Sequence, residues 1–169
     1  ISNLRRFSTY NINIGNVSEN IIQKRDINHD FIKNEVFTVL GYGPQAMSQS
    51  NNLKDSLKSD KVILGLRKGD SWNRAVEDGW EEDKNLFEID EACHKGTVIM
   101  NLLSDAGQIQ TWKDVSPHLY ENDCLYFSHG FGIVFNKLTR INPPENIDVI
   151  MVAPKGPGNK VREHFLQNK

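Results

Sequence analysis

The sequence lacks several features that would assign it to a protein class at once. Its 169 residues contain two cysteines, Cys93 and Cys124, and neither lies in a Cys-x-x-Cys or Cys/His pattern. We therefore expect two buried, reduced thiols rather than a disulfide framework or a zinc site. No apolar run approaches the ~18 residues of a membrane-spanning helix. A net charge of -2 gives no general attraction to nucleic acid. We expect neither a nucleic-acid partner nor a direct membrane span.

Acidic residues are missing from the first eighteen positions, ISNLRRFSTYNINIGNVS, which carry Arg5, Arg6 and several Ser, Thr and Asn. This composition is typical of organelle import segments, and RRFSTY is similar to the end of a mitochondrial presequence. An ordinary polar tail would have the same composition, so both interpretations stay open. We treat residues 1–34 as an extended, import-segment-like arm and predict a mitochondrial location.

Short apolar runs alternate with helical patterns from residue 36 onward. The runs are VFTVL, KVILGL, TVIMNLL, CLYFSHG and DVIMVAP, and their continuous apolar character is typical of strands covered on both faces. Helical patterns follow at about residues 45–57, 86–94, 106–115 and 159–167, with a short segment at 71–80. For residues 35–169 we predict an α/β fold, a doubly wound Rossmann-type parallel sheet with helices on both faces.

The stretch GYGPQA follows the first predicted strand and opens the first helix. Gly41 would permit a tight turn, and Gly43 would permit close approach of a pyrophosphate to the helix N-terminus. Pro44 is tolerable in the first helical turn, but it removes one N–H donor from the anion site. The pattern predicts a dinucleotide site, with a ligand-free strand–helix turn as the alternative.

The end of the second strand predicts which dinucleotide is bound. A fold that prefers NAD places an acid ~20 residues after the glycines, whereas this chain has Arg67 and Lys68 there. Cationic side chains favour a 2′-phosphate, so NADP is the expected cofactor. Asp70 lies close by and would repel that phosphate. A solvated charged turn is the alternative interpretation.

Together these motifs resemble the N-terminal domain of ketol-acid reductoisomerase (acetohydroxy acid isomeroreductase). The resemblance runs from about Glu35 to the end of the chain. It rests on GYGPQ, NLKDS, GLRKG, SWNRAVEDGW, NLLSDAGQ, YFSHGF and APKGPGNKVR, in that order. Members of this family use NADPH and magnesium to convert an acetohydroxy acid into a dihydroxy acid. The resemblance therefore implies the same fold and the same cofactor.

The resemblance also implies roles for individual residues. The implied cofactor-binding residues are Gly41, Tyr42, Gly43, Pro44 (in place of the family's usual serine), Gln45, Arg67, Ser71, Asp105, Gln108 and Gly158. His129 matches the active-site histidine, and Lys155 matches a lysine that borders the substrate and metal site. A neutral imidazole can transfer protons near neutral pH. We expect both residues to occupy catalytic positions of the family and to be vestigial in this chain.

Magnesium ligands are the missing part of this chemistry. In the family, as the resemblance implies, carboxylates of a separate C-terminal helical domain bind the metal. The acids available here, Glu77–Asp78 and Glu81–Asp83, are interpreted as a solvated charge run. We expect no metal site within this chain and no full reaction from it alone. His94 and His118 are assigned to the surface, and Trp72, Trp80 and Trp112 to the packed interior.

Three hypotheses about function remain open from the sequence. The first is an accessory structural subunit of a mitochondrial complex, with a respiratory-chain or ATP-synthase assembly as a guess from compartment alone. Its expected partners are other protein subunits, which a polar N-terminal arm could contact while gaining order. The second is a fragment of an active NADPH- and magnesium-dependent ketol-acid reductoisomerase. The third is a stand-alone NADPH sensor.

Overall fold

The computed structural model describes residues 10–14, 17–21, 30, 32–58 and 60–167. The chain divides into two compact units, Ile1–Asn34 and Glu35–Lys169, and each is described by itself. In the first unit, β1 (Tyr10–Ile14) and β2 (Val17–Ile21) form an antiparallel pair. Residues 1–9, the first half of the import-like stretch, lie outside the described residues. The import segment therefore stays a prediction.

Strands and helices alternate through the second unit. The strands are β3 (Phe37–Leu40), β4 (Val62–Leu66), β5 (Leu86–Glu88), β6 (Val98–Asn101), β7 (Cys124–Phe127) and β8 (Asp148–Met151). The helices are α1 (Pro44–Leu57), α2 (Asp70–Glu77), α3 (Ile89–Lys95), α4 (Asp105–Val115), α5 (Phe131–Val134), α6 (Asn136–Thr139) and α7 (Gly158–Gln167). A short 3-10 helix, Ser116–His118, follows α4.

The strands form one sheet in the order β5-β4-β3-β6-β7-β8, and every neighbouring pair is parallel. In this register Leu40, at the end of β3, lies opposite both Gly65 of β4 and Asn101 of β6. The strand order reverses between β3 and β6, which is where ligands bind in open α/β sheets. This topology confirms the predicted doubly wound parallel sheet.

Apolar packing holds helices on both faces of the sheet. All residues of β3 and β4 are buried. On one face, Leu40, Ile99 and Leu125 from three adjacent strands form a core cluster with Cys93 of α3 and Val115 of α4. The other face carries α1, which in turn packs against α7. Burial on both faces explains why the strand sequences show no alternation of polar and apolar residues.

The prediction of one helix over residues 86–94 is wrong at its start. Leu86 and Phe87 are buried in β5, which pairs with β4, and the helix begins only at Ile89. Three residues are too few for periodicity to distinguish a strand from a helix turn. The parallel ladder with β4 decides the conformation here.

The aromatic predictions divide into confirmed and corrected ones. Trp72 and Trp80 are buried, and the half-buried Trp112 packs against the core cluster, as expected. His118 is not a partnerless surface residue, because its Nε2 lies 2.8 Å from Oδ1 of Asp90. Its ring also meets the edge of His94, with 5.7 Å between centroids.

In the part of the chain that the structure describes, no helix has the length and apolar character needed to cross a membrane.

Candidate functional site

A cavity of about 560 Å³ opens beyond the carboxyl ends of β3, β4 and β6. Residues 41–43, 66–71 and 102–104 line it, together with Ile89. These segments meet because parallel strands present their carboxyl ends at the same edge of the sheet. The cavity therefore lies at the topological switch point, where the fold predicts a ligand.

The two glycines of the turn have different structural roles. Gly41 has φ +94°, and a Cβ there would meet the Leu103 side chain at 3.1 Å and the Leu102 carbonyl oxygen at 3.3 Å. Gly43 is the N-cap of α1 with φ -74°, and a Cβ there would have no atom within 4 Å. Gly41 is thus required by the fold of the turn. Gly43 instead leaves open space in front of a helix N-terminus, which is where an anion binds.

The turn between β4 and α2 brings charged and polar groups into the same cavity. Arg67, Lys68, Asp70 and Ser71 all line it. Nη1 of Arg67 also lies 3.5 Å from Oε1 of Gln110 on α4, which is a weak contact. Two cationic side chains and one carboxylate leave this wall with a net positive charge. The Ser71 hydroxyl, placed in the first turn of α2, adds a donor suited to a phosphate oxygen.

Tyr42 connects the glycine turn to the segment after α2. Its ring is buried, and its hydroxyl donates a hydrogen bond to Oδ2 of Asp78 at 2.7 Å. Burial, followed by this hydrogen bond, raises the pKa of Tyr42 to about 12. The tyrosine is therefore a neutral donor at physiological pH. It lines the cavity and holds the turn in place.

The acids of the predicted charge run are exposed, as that prediction expects, and two of them also have specific partners across the fold. Asp78 accepts from Tyr42, and Oε1 of Glu82 accepts from the Trp72 indole at 2.6 Å. Glu82 also accepts a hydrogen bond from Lys68. The bond from Trp72, followed by the one from Lys68, lowers the pKa of Glu82. The pattern of acids gave no hint of this, because the partners are brought close only by the fold.

Other predicted site residues lie outside the cavity lining. Pro44 and Gln45 begin α1, and Nε2 of Gln45 donates to the carbonyl oxygen of Gly156, just before α7, at 2.8 Å. Gly158 packs against the carbonyl group of Pro44. The structure thus brings three predicted cofactor residues together where α1 meets the start of α7, and none of the three lines the cavity.

The remaining predicted residues surround the ends of β6, β7 and β8. Asp105 and His129 are half-exposed and lie close together, with 3.5 Å between Oδ1 and Nε2. Gln108 is buried, donates to the Leu103 carbonyl oxygen at 3.0 Å, and leaves its Oε1 without a hydrogen-bond partner. Lys155 is exposed in the segment between β8 and α7. His129 and Asp105 are therefore brought together as a pair.

Ser104 is a cavity residue that the sequence motifs did not single out. It is the N-cap of α4, and its Oγ accepts a hydrogen bond from the Gly107 backbone N–H at 3.2 Å. A serine directly after a buried strand and before a helical pattern is a recognised N-cap signal. This signal could have placed a second helix N-terminus at the same sheet edge.

The residues present fit a phosphate-bearing dinucleotide but do not fit a metal site. The open space at Gly43 and the positive wall at Arg67 suit the phosphates of such a cofactor. By contrast, the described residues contain no group of three His, Cys, Asp or Glu side chains that could hold a metal ion.

Comparison with known proteins finds relatives that belong to one enzyme family. The model of the family "Acetohydroxy acid isomeroreductase, NADPH-binding domain" matches residues 31–169. The chain is 50% identical over 159 residues to the ketol-acid reductoisomerase (NAD(+)) of Desulfosudis oleivorans, covering 91% of this chain and 45% of that protein. It is 45% identical over 163 residues to the mitochondrial ketol-acid reductoisomerase of Saccharomyces cerevisiae, covering 94% and 41% respectively. The chain thus spans less than half the length of these relatives.

A solved structure agrees with these sequence relatives. An NADH-preferring ketol-acid reductoisomerase from an uncultured archaeon superimposes with a TM-score of 0.74 at 36% identity. The match covers 86% of this chain and 43% of that one. The family resemblance stated from the motifs is therefore confirmed. The chain belongs to the family of NADPH-binding domains of acetohydroxy acid isomeroreductases.

Proposed function

We propose that this chain binds NADP at the switch-point cavity, with the 2′-phosphate at Arg67 and Ser71. The observation that carries the proposal is the coincidence of three features in one cavity. These are the open space at Gly43, the N-terminus of α1 and the positive wall after β4. A helix N-terminus and a guanidinium group both favour phosphate oxygens. The lack of an N–H on Pro44 weakens the anion site without closing it.

The proposed biological role is that of the cofactor half of a ketol-acid reductoisomerase. A partner domain would have to supply the metal ligands. Within this chain, the half-exposed pair of His129 and Asp105 is the group best suited to moving a proton, because an imidazole can transfer protons and here lies 3.5 Å from a carboxylate. Lys155 would add positive charge near the same sheet edge.

The open edge of the sheet supports a role within something larger. β8 is one of the two edge strands of the six-stranded sheet, and its apolar side chains Val149, Ile150 and Met151 are 44%, 42% and 60% exposed. Edge strands that face solvent are normally protected by charge or by a covering segment. A further segment of the same protein or a separate subunit would provide that cover.

An accessory structural subunit of a mitochondrial complex is the second candidate. The observation in its favour is Pro44, which stands at the helix N-terminus where an N–H donor would serve a pyrophosphate. Such a subunit would use the β8 edge to contact other protein subunits of a respiratory-chain or ATP-synthase assembly. Mitochondrial location, common to both candidates, is supported by the import-like N-terminus and by fungal relatives named as mitochondrial.

Calorimetric titration of the 169-residue chain with NADPH and with NADH tests the proposed binding. We expect NADPH to bind, and Arg67→Ala to weaken NADPH by about 10-fold or more while weakening NADH by less than about 2-fold. Lys113→Ala, a change of an exposed cation on α4, is the control and should leave both affinities unchanged. Equal weakening of both cofactors by Arg67→Ala would remove the phosphate assignment. No binding of either cofactor would favour the accessory-subunit candidate.

Native mass spectrometry of the protein from its source distinguishes the two biological roles. A heavier chain with a C-terminal extension would support the enzyme. A chain of 19.3 kDa that travels in a large assembly without a nucleotide adduct would support the accessory subunit. A free chain of that mass with a bound NADP-sized adduct would instead support the sensor hypothesis.

A further inference from the structure

Lys68, one of the two cations in the predicted phosphate turn, is already engaged by other side chains. Its Nζ lies 3.4 Å from the centroid of the Trp72 ring and 3.1 Å from Oε2 of Glu82. The second oxygen of that carboxylate accepts from the Trp72 indole at 2.6 Å. Glu82 thus binds both the lysine and the tryptophan over which the lysine lies. We refer to Lys68, Trp72 and Glu82 as the lysine clasp.

The lysine clasp borders the cofactor cavity. Lys68 lines the switch-point cavity and also a second, acidic cavity of about 280 Å³ that contains Trp72, Asp83 and Glu88. The Trp72 ring is 5% exposed, so it is a fixed platform rather than a mobile side chain. Glu82 follows α2 in sequence and reaches the clasp from outside the switch-point cavity. The Lys68 ammonium group is therefore held at the boundary, directed toward a carboxylate rather than toward a ligand.

The charge of the turn depends on this arrangement. Arg67 and Lys68 contribute two positive charges, whereas Asp70 and Glu82 contribute two negative charges. Glu82 lies outside the positively charged cavity wall, and with it ionised these four side chains together have no net charge. A 2′-phosphate carries close to two negative charges, so its binding is sensitive to this balance. A 2′-hydroxyl is much less sensitive.

We propose that Glu82 is a specificity-determining residue that limits the preference of this chain for NADP over NAD by holding Lys68 in the clasp. The inference rests on the proposed binding of a nicotinamide dinucleotide at this cavity. In this arrangement Arg67 and Ser71 meet the 2′-phosphate, and Lys68 contributes little. The turn therefore favours NADP over NAD less strongly than two free cations would.

Glu82→Gln is the decisive variant. Its amide oxygen can still accept from the Trp72 indole, but its side chain no longer offers a carboxylate to Lys68. We expect the ratio of the NAD⁺ and NADP⁺ dissociation constants to rise about 3- to 10-fold, because a freed ammonium group can reach the 2′-phosphate. The rise should shrink as salt increases, since the lysine is half-exposed.

Glu81→Gln is the matched control, because it removes the same charge at the next position. Glu81 pairs with Lys84 at 2.7 Å rather than with the clasp, so its replacement should leave the ratio unchanged. Lys68→Gln tests the same inference from the other side and should change the ratio by less than about 2-fold. Introducing Glu82→Gln into the Lys68→Gln chain should then have no effect on the ratio.

Calorimetric titration of each chain with NADP⁺ and NAD⁺ gives the outcome, with circular dichroism to check folding. A ratio that rises in Glu82→Gln only when Lys68 is present supports the inference. An unchanged ratio in Glu82→Gln with intact binding overturns the inference, and so does a strong loss of NADP⁺ affinity in Lys68→Gln. Either result leaves the proposed function standing. If the unaltered chain binds neither dinucleotide, both the proposed function and this inference are overturned.

Discussion

Gly158, the first residue of α7, lies directly against the carbonyl group of Pro44, the first residue of α1, and leaves no room for a side chain between them. The contact joins two segments that are far apart in the sequence. It also fixes the N-terminus of α1, which is the helix end that faces the cofactor cavity. The packing of α7 therefore helps to set the position of the binding turn.

Replacing Gly158 with alanine should destabilise the domain. A Cβ would overlap backbone atoms of Pro44 and Gln45, which cannot move aside as a side chain can. We expect a loss of about 1–3 kcal/mol in the free energy of unfolding, measured by urea denaturation. Gly156→Ala is the control, because a Cβ there meets no atom within 4 Å. Equal stability of the two variants would contradict the close contact.

The two glycines of the binding turn should respond differently to the same change. Gly41→Ala places a side chain at φ +94° against Leu102 and Leu103, so we expect it to cost about 1–3 kcal/mol of stability. Gly43→Ala has room for its Cβ and should change stability by less than about 0.5 kcal/mol. Its methyl group would fill the space expected for a pyrophosphate, so NADPH affinity should fall by about 10-fold or more. Denaturation and calorimetry separate the two effects, and unaltered NADPH binding by Gly43→Ala would argue against this position of the pyrophosphate.

Tyr42 should make folding stability depend on pH in the alkaline range. Its folded pKa of about 12 lies above the ordinary value of 10.0, so the native state retains a proton that the unfolded chain releases. The resulting stabilisation is fully present below pH ~10 and is lost as pH rises toward ~12, by up to about 2 kcal/mol. Urea midpoints at pH 9 and pH 11.5 should therefore differ less in Tyr42→Phe than in the unaltered chain. Identical pH dependence in both would show that the tyrosine does not titrate in this way.

Cys93 should resist alkylation while the domain is folded. It is fully buried in the core cluster, and burial raises the pKa of its thiol to about 12. Cys124 is only partly buried, although burial raises the pKa of its thiol as well. With iodoacetamide at pH 8, mass spectrometry should find Cys124 modified first and Cys93 modified only at the rate of unfolding. Urea-unfolded protein supplies the control, in which both should react equally. Rapid modification of Cys93 in the folded state would be inconsistent with its burial.

Local pattern in the sequence determined the class of the fold and the place of the cavity. Strands such as β3 are buried on both faces and are therefore continuously apolar in sequence. Such a run can be recognised without knowing which strands and helices it packs against. Gly41 and Gly43 were predictable for a similar reason. A strand, a tight turn and a helix are consecutive in sequence, so their geometry is written locally.

Only the tertiary structure decided which side chains meet. β5 is a strand because β4 offers it a parallel ladder, and three residues carry no period that could reveal this. Glu82 holds Lys68 from fourteen positions away, and Gly158 meets Pro44 across the length of the domain. A sequence records the types of the side chains, but distances between remote residues exist only after the chain has packed. Charge at the binding turn depends on those distances, so local sequence pattern determined the fold class, whereas packing decided the electrostatics of the site.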